Sequence, residues 1–303
     1  MSAPTIAAGP SVLFRRVALV GRPGTPEIVE PLARLTRFLA GRGHSVVLDA
    51  ETALFMPKSG LPAAAREELG PRADAAVVVG GDGTMLSVAR ELAPYDVPLI
   101  GINLGRLGFL TDIPLARIEA ALAALLDGHC VEERRIMLEA RVSHDGTEPD
   151  RALALNDVVV SRGSLGGMID IAVEIDGCFV YAMRADGLIV ATPTGSTAYA
   201  LSAQGPIVHP GVPAVVLVPV APHSLSNRPI AVADSSVVTI TLLKGKDAMT
   251  HCDGQAHFPL HERDRVTIRR ASHAVRLLHP EDHDHFAMLR QKLHWGETPE
   301  PLG

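Results

Sequence analysis

The chain has 303 residues, of which 47% are hydrophobic and 20% charged, and this length and composition suit a globular protein of two domains. Its formal net charge of -6 and aromatic content of 4% argue against nucleic-acid binding, which requires a basic surface or rings for base stacking. No apolar run approaches the ~20 residues of a membrane-spanning helix, so no membrane partner is expected.

The cysteine pattern predicts a cytoplasmic protein. Cys130, Cys178 and Cys252 are far apart and odd in number, and there is no CxxC pair, so neither a disulfide framework nor a zinc site is indicated. Residues 1–10 lack the basic region and apolar core of a signal peptide and predict a disordered lead-in.

The first third of the chain alternates strand and helix patterns. Short apolar, β-branched runs predict strands at residues 16–20, 45–48, 75–79 and 98–102. Helical spacing predicts helices at about 27–40 and 114–127, the first starting nearer Glu30 because Pro31 is unfavourable inside a helix. This alternation predicts a parallel sheet with ligands at the carboxyl ends of its strands.

A glycine-rich turn, Gly80-Gly81-Asp82-Gly83-Thr84, lies between the strand predicted at 75–79 and a helical pattern. This geometry directs backbone N–H groups and a helix N-terminus at an anion. A carboxylate inside a phosphate-binding turn weakens attraction for the phosphate, so Asp82 is interpreted as a general base that accepts a hydroxyl proton. Alternatively, Asp82 only caps the helix, and the motif alone does not separate these readings.

The rest of the chain has a β pattern. Strands are predicted at residues 136–143, 153–160, 169–175, 179–184, 215–220, 237–243 and 266–269. Asp176-Gly177 is a strong two-residue hairpin signal. A short amphipathic helix is predicted at residues 286–293.

One helix-like insertion interrupts this β pattern at residues 192–206, TPTGSTAYALSAQGP. Thr194, Ser196 and Thr197 cluster where a helix N-cap would lie, and the residues that follow are mostly small. The segment is either a capped surface helix or a place where a nucleotide approaches the backbone.

Together, the two motifs resemble those of the NAD kinases, and the resemblance extends over nearly the whole chain. The matching stretches are GGDGT at 80–84, GIN at 101–103, LGFLTD at 107–112, LNDVV at 155–159, RADG at 184–187, residues 192–206 and CDGQ at 252–255. The resemblance implies an α/β domain like that of phosphofructokinases and diacylglycerol kinases, followed by an all-β domain. The implied boundaries are 1–125 for the α/β domain, 126–275 for the NAD-binding β domain, and 276–303 for a C-terminal segment packing back on the first domain.

The resemblance further implies phosphoryl transfer from ATP to the 2′-hydroxyl of the adenosine ribose of NAD, giving NADP. No GxxxxGK[ST] motif is present, so Mg²⁺ held largely by the triphosphate and water is expected to neutralise much of the phosphate charge. A homo-oligomer, dimer or tetramer, is implied, with sites shared between subunits. The sequence leaves open the use of polyphosphate or NADH and feedback by NADP or NADPH.

The resemblance assigns site residues by position. Asp82 is the catalytic base, and no residue is assigned to a metal. The phosphate-binding residues are Gly80, Gly81, Gly83 and Thr84. The NAD-binding residues are Asp82, Gly83, Asn156, Asp157, Arg184, Asp186, Thr197, Ala198, Tyr199, Ala200, Leu201, Ser202 and Gln255.

Three alternatives remain open at this stage. A lipid or sugar kinase would share the GGDG turn but would leave residues 192–206 and the Asn156-Asp157 pair unexplained. A nucleotide sensor would bind NAD without turnover. Separately, the histidines of residues 279–285 are read either as metal ligands or, preferably, as a solvated polar linker.

Overall fold

A computed structural model of the chain describes residues 13–105, 108–144, 149–163, 167–224 and 226–294. The lead-in predicted at residues 1–10, Leu107 of the LGFLTD motif and residues 295–303 of the C-terminal segment lie outside these ranges. The chain divides into two units. Unit 1 runs to Glu133 and resumes at Arg276, and unit 2 is Arg134–Val275.

Strands make up most of the regular structure. In chain order they are β1 (Arg16–Gly21), β2 (Ser45–Asp49), β3 (Ala63–Ala64), β4 (Ala75–Gly80), β5 (Leu99–Asn103), β6 (Ile113–Pro114), β7 (Val131–Ser143), β8 (Asp150–Ala154), β9 (Asp157–Ser161), β10 (Ile169–Ile175), β11 (Cys178–Ala185), β12 (Gly187–Ala191), β13 (Ala214–Val220), β14 (Ile230–Ala233), β15 (Val238–Lys244), β16 (Ala248–Cys252), β17 (Ala256–Leu260) and β18 (Arg265–His279).

The helices are fewer and mostly short. The α-helices are α1 (Val29–Gly41), α2 (Ala50–Ala53), α3 (Asp82–Leu92), α4 (Ile118–Leu126), α5 (Tyr199–Ser202) and α6 (His285–Leu293). Single 3₁₀ turns occur at Pro26–Ile28, Arg66–Glu68, Gly70–Arg72, Ala93–Tyr95, Leu115–Arg117 and Gly195–Thr197. Among the described residues, no helix combines the length and apolar character needed to cross a membrane.

Unit 1 is built on a parallel sheet with the strand order β5-β4-β1-β2-β3, and the end of β18 joins β5 through Leu277 and Leu99. In this order β2 follows β1 toward one edge of the sheet, whereas β5 follows β4 toward the opposite edge. The strand order therefore reverses between β1 and β4. In such sheets, ligands bind at the carboxyl ends of the strands where the order reverses. Gly21 and Gly80 end β1 and β4 at this position.

The apolar face of α1 explains how unit 1 closes over its sheet. Leu32, Leu35 and Leu39 are fully buried against strand residues of β1, β2 and β4. Pro31 is tolerated because it lies in the first turn of α1, where a backbone N–H has no partner within the helix.

Unit 2 contains two antiparallel arrangements of strands. One has the order β14-β13-β12-β9-β16-β17, and the other includes β11-β10-β15-β18. A single buried cluster draws side chains from both, including Val158 and Val190 from the first and Ile171 and Ile240 from the second. The predicted fold class, a parallel α/β part followed by an all-β part, is confirmed.

Two predicted elements are wrong in detail. The strand predicted at 153–160 is two strands, β8 and β9, because the chain turns sharply at Leu155 and Asn156. The strand predicted at 266–269 is only the N-terminal part of the much longer β18. The other predicted strands agree with the observed strands to within a few residues at their ends, except that β7 begins five residues before the predicted position 136.

Candidate active site

The GGDG turn connects β4 to α3. Gly81 has an extended backbone and precedes the helix, and the backbone N–H groups of Thr84 and Met85 donate to its carbonyl oxygen at 3.0 and 3.2 Å. No described residue lies within 4 Å of the place where a Cβ would project from Gly81 or Gly83. The backbone of the turn is therefore open to a ligand. Thr84, by contrast, is buried, and its hydroxyl lies against Gly80 rather than at the surface.

The Asp82 carboxylate is oriented by the loop that precedes β6. Its Oδ2 accepts from the backbone N–H of Phe109 at 2.8 Å, and its Oδ1 accepts from the N–H of Leu110 at 3.0 Å and the hydroxyl of Thr111 at 3.3 Å. Asp82 is the first residue of α3 and does not cap it. The capping alternative is therefore wrong, because the carboxylate bonds to a loop 27 to 29 residues further along the chain.

Gly108 makes this arrangement possible. A Cβ at this position would lie 1.9 Å from Asp82 Oδ1 and 2.3 Å from Thr111 Oγ1, far inside van der Waals contact. Only glycine allows the loop to approach the carboxylate this closely.

In unit 2, a second carboxylate organises the turn between β8 and β9. Asp253 accepts from the backbone N–H groups of Leu155 at 2.9 Å, Asn156 at 2.8 Å and Asp157 at 3.2 Å. Its own N–H donates to the Asp157 carbonyl oxygen at 3.0 Å. Asp253 has a φ of +53°, a left-handed conformation that aspartate tolerates better than most residues. These bonds position the predicted Asn156-Asp157 pair.

This turn opens into a cavity of about 420 Å³. Its lining residues are Asn156, Asp157, Val159, Ser161, Ala198, Tyr199, His251, Asp253 and Gly254. The cavity thus brings together the Asn-Asp pair and the end of the TPTGSTAY segment, which are about forty residues apart. Half-exposed Tyr199 offers a flat ring for stacking.

Asp157 is buried beside another carboxylate. Burial, and secondly the charge of Asp253, raise the pKa of Asp157 from 3.8 to about 7. Near neutral pH, Asp157 can therefore donate as well as accept a hydrogen bond.

This raised pKa predicts a pH-dependent stability. The unfolded chain releases the Asp157 proton near pH 3.8 but the folded chain holds it to about pH 7, so folding loses stability as the pH rises through this window. The Asp157→Asn variant has no titrating carboxyl group at this position, so it should not lose stability in this way. Relative to the parent, the variant should gain on the order of 3 kcal/mol of unfolding free energy between about pH 5 and pH 8. Urea unfolding at both pH values measures this gain, and Glu262→Gln, at an exposed carboxylate, serves as the control. If the difference in unfolding free energy between Asp157→Asn and the parent were the same at both pH values, the raised pKa of Asp157 would be contradicted.

The helix-like insertion predicted at 192–206 is not one continuous helix. It is a 3₁₀ turn at Gly195–Thr197 and a single α-turn, α5, separated by Ala198 with φ -102° and ψ -125°. The hydroxyls expected at the helix start already have partners within the protein, and that of Thr194 accepts from Arg135 Nη1 at 3.2 Å. Thr197 donates to the Thr194 carbonyl, and Ser196 joins the Pro193 carbonyl to the Val208 N–H.

The remaining predicted NAD-binding residues occupy different environments. Ala200 is fully buried under β12 and β13, Leu201 is half-buried, and Ser202 and Gln255 are exposed. Asp186 accepts from Arg162 Nε at 2.8 Å, and the exposed Arg184 lies 3.7 Å from Asp170. None of these six residues is among those that line the 420 Å³ cavity.

Sequence reasoning missed the residues that position the predicted ones. Gly108 and Thr111 lie in the quoted LGFLTD stretch and Asp253 in CDGQ, so the motifs contained them without indicating their roles. His251, one residue before CDGQ, lines the cavity and had no sequence signal.

The preferred reading of residues 279–285 as a solvated linker is wrong for two histidines. The side chains of His279 and His283 are only 2% and 5% exposed, and each donates from Nδ1 to Oδ2 of Asp112 at 2.8 Å. Burial acts to raise the pKa of Asp112, but these hydrogen bonds outweigh it and lower the pKa to about 2.

Unit 1 has a GGDG turn at the switch point of a parallel sheet, and unit 2 has a cavity lined by an Asn-Asp pair; these features suit a phosphotransferase that binds nucleotides. Residues 17–130 match the ATP-NAD kinase N-terminal domain, and residues 155–279 match the ATP-NAD kinase C-terminal domain. The chain belongs to the ATP-NAD kinase family. This confirms the predicted family and enzyme class.

Individual relatives agree with this result. A protein named NAD kinase from Laribacter hongkongensis is 52% identical over 285 residues, which cover 94% of this chain and 98% of that one. The crystal structure of an NAD kinase from Archaeoglobus fulgidus in complex with ATP has a TM-score of 0.72 and 30% identity, covering 92% of this chain and 98% of that one. Yeast NADH kinase complexed with NADH has a TM-score of 0.90 over 98% of this chain and 95% of that one; at 24% identity, the likeness concerns the fold alone.

Proposed function

We propose that this chain transfers the γ-phosphoryl group of ATP to the 2′-hydroxyl of the adenosine ribose of NAD, with Asp82 as the general base. The observation that carries this proposal is the orientation of the Asp82 carboxylate at the open GGDG turn. Hydrogen bonds from Phe109, Leu110 and Thr111 hold the carboxylate in one position.

The hydrogen-bond geometry leaves Asp82 able to accept a proton. A carboxylate offers about four lone-pair positions, and the described residues occupy one on Oδ2 and two on Oδ1. A position on Oδ2 remains for a substrate hydroxyl. Phosphoryl transfer passes through a loose transition state, so the base acts mainly by orienting the hydroxyl and taking its proton as the new bond forms.

The phosphates of ATP are assigned to the GGDG turn. The turn suits an anion, because no side chain projects from Gly81 or Gly83 to block the approach to the N-terminus of α3. Gly80 and Thr84 are buried and pack against each other at the base of the turn. The turn supplies a single carboxylate, which fits Mg²⁺ held mainly by the triphosphate and water. When bound, Mg²⁺ neutralises phosphate charge.

NAD binding is assigned to unit 2. We propose that Asn156 and Asp157 hold the nicotinamide-side ribose, because both line the cavity with groups that hydrogen-bond to hydroxyls. Ala198 and Tyr199 line the same cavity. The other proposed NAD contacts are Thr197, Ala200, Leu201, Ser202, Arg184, Asp186 and Gln255.

Asn156→Ala should raise the KM for NAD at least tenfold, because a ribose hydroxyl loses its partner in a confined site. Steady-state kinetics with NAD varied at saturating ATP measure this effect. Asn227→Ala changes an asparagine of the same unit outside the cavity and should leave the KM unchanged. An unchanged KM and turnover in Asn156→Ala would remove this residue from the NAD site.

The activity itself is tested by NADP formation from NAD, ATP and Mg²⁺, with parallel reactions that use NADH or inorganic polyphosphate. NADP formed only from NAD and ATP would establish the proposed reaction and settle both specificities. NAD binding without NADP formation under any donor would support a sensor instead.

We also propose a cytoplasmic homo-oligomer. β11 is the outermost strand of its sheet among the described residues, and it exposes 66% of Phe179 and 40% of Val180. Such an edge suits pairing with a second copy of the chain. Arg184 lies on the same strand, which supports a site shared between subunits. The mass of the protein in solution tests this proposal.

A further inference from the structure

We infer that Asp112, His279 and His283 form a binding site for a zinc-class transition metal ion, with Glu133 as a supporting carboxylate. All four residues belong to unit 1, and none has a role in the proposed reaction. This site is separate from the Mg²⁺ that accompanies ATP.

Buried donor atoms converge at this place. One ligand atom from each of Asp112, His279 and His283 lies within 4.8 Å of the others. Both imidazole Nδ1 atoms lie 2.8 Å from Asp112 Oδ2. In a tetrahedral zinc site, with bonds of about 2.0–2.2 Å, neighbouring ligand atoms are about 3.3 Å apart. The two Nδ1–Oδ2 distances are therefore about half an ångström shorter than in a loaded site, and both would lengthen when the ion binds.

Several polar atoms in this cluster lack partners. Asp112 Oδ1 and the Nε2 atoms of His279 and His283 are buried and have no hydrogen-bond partner in the part of the chain that the structure describes. Buried polar atoms normally have a partner, so such a group of exceptions requires an explanation. A bound cation accounts for Asp112 Oδ1, because the carboxylate then enters a coordination sphere together with both imidazoles, and the two Nε2 atoms are left to Glu133.

Glu133 completes the arrangement on the far side of the rings. Its carboxylate oxygens lie 3.6 Å from His279 Nε2 and 3.8 Å from His283 Nε2. A metal-bound histidine usually donates its other N–H to a carboxylate or carbonyl, which fixes the tautomer and the ring orientation. We therefore assign the metal to the Nδ1 atoms and the Nε2–H groups to Glu133.

The cluster also has an entry path. Asp112 and His283 line a cavity of about 570 Å³ that the described residues of β5, β6 and α6 help to form. The two rings stack at 3.9 Å with 21° between their planes, whereas a bound metal lies near the plane of each ring. Binding thus turns the His283 ring toward the cavity, which supplies water as a fourth ligand.

The test is zinc binding by the full-length protein after removal of metals with a chelator. Titration calorimetry should show one Zn²⁺ per chain, and Co²⁺ should give the intense visible absorption of a four-coordinate site with histidine ligands. Zn²⁺ should also raise the Tm, because the ion binds the folded state. His279→Gln and His283→Gln should lose this binding, and Glu133→Gln should weaken it about 10–100-fold.

His273→Gln is the matched control, since it removes an exposed histidine of β18 outside the cluster and should bind zinc like the parent. Of the two histidine substitutions, His283→Gln is the less disruptive to folding, because His283 lies in a turn after β18 whereas His279 is the last residue of that strand. Circular dichroism of each variant establishes that it is folded. Absence of stoichiometric zinc binding in the parent, or its persistence in folded His279→Gln and His283→Gln, would overturn the proposal and leave a cluster that only shares protons.

Discussion

Asp82→Asn is expected to lower turnover by about 10²–10⁴-fold while NAD still binds, because asparagine cannot accept the hydroxyl proton. The change also affects the loop, since one amide oxygen replaces two carboxylate oxygens that accept from Phe109, Leu110 and Thr111. A backbone N–H left without an acceptor costs about 1–3 kcal/mol. Turnover, NAD affinity by calorimetry and Tm therefore have to be measured together.

Asp74→Asn is the matched control for the structural part of this effect. Asp74 also has donors on both carboxylate oxygens: Oδ2 accepts from the backbone N–H groups of Arg15 at 3.0 Å and Arg16 at 2.9 Å, and Oδ1 accepts from the Arg16 guanidinium at 2.7 and 3.1 Å. This variant should lose comparable stability and keep its turnover. If purified Asp82→Asn turned over NAD at nearly the parent rate, Asp82 would have no part in the mechanism.

Gly108→Ala should lower turnover about 10²-fold with all catalytic groups present. The new methyl group would overlap Asp82 Oδ1 and Thr111 Oγ1, and both atoms belong to side chains that can move aside. The substitution therefore acts mainly by displacing the Asp82 carboxylate. A displacement of about 1 Å can reduce a rate this much. The loss of stability should be smaller, about 1–3 kcal/mol, as for other overpacked sites.

Two further variants identify the cause of that loss. Gly41→Ala adds a methyl group that meets no described residue within 4 Å at the end of α1, and it should leave turnover unchanged and not lower Tm. In the Asp82→Asn background, Gly108→Ala should reduce turnover little further, because both changes act through the same carboxylate. Fully additive losses, or a Gly108→Ala enzyme with parental turnover, would contradict the proposed positioning role.

The zinc-class site has a consequence for the same loop. Asp112 directly follows Thr111, whose hydroxyl bonds to Asp82. A metal bound by Asp112 would restrain the end of the segment that orients the catalytic carboxylate. Zinc is therefore expected to stabilise this loop without taking part in phosphoryl transfer.

Much of the fold was predictable because its signals are local. A β-branched run, a glycine-rich turn and a helical pattern are neighbours in the sequence, so β4, the GGDG turn and α3 could be recognised together. The break between β8 and β9 could not be recognised in this way. It depends on Asp253, whose carboxylate reaches the turn from 96 to 98 residues away.

The amino-acid sequence by itself determined the family, the fold class and the catalytic candidate Asp82, because each rests on short motifs and residue periodicity. Only the tertiary structure decided which groups hold Asp82, which carboxylate shapes the Asn156-Asp157 turn, and whether the C-terminal histidines are buried. His279 and His283 meet Asp112 across 167 and 171 residues. The physical reason is that periodicity describes a residue's own element, whereas hydrogen bonds between distant segments form only once the sheets have packed.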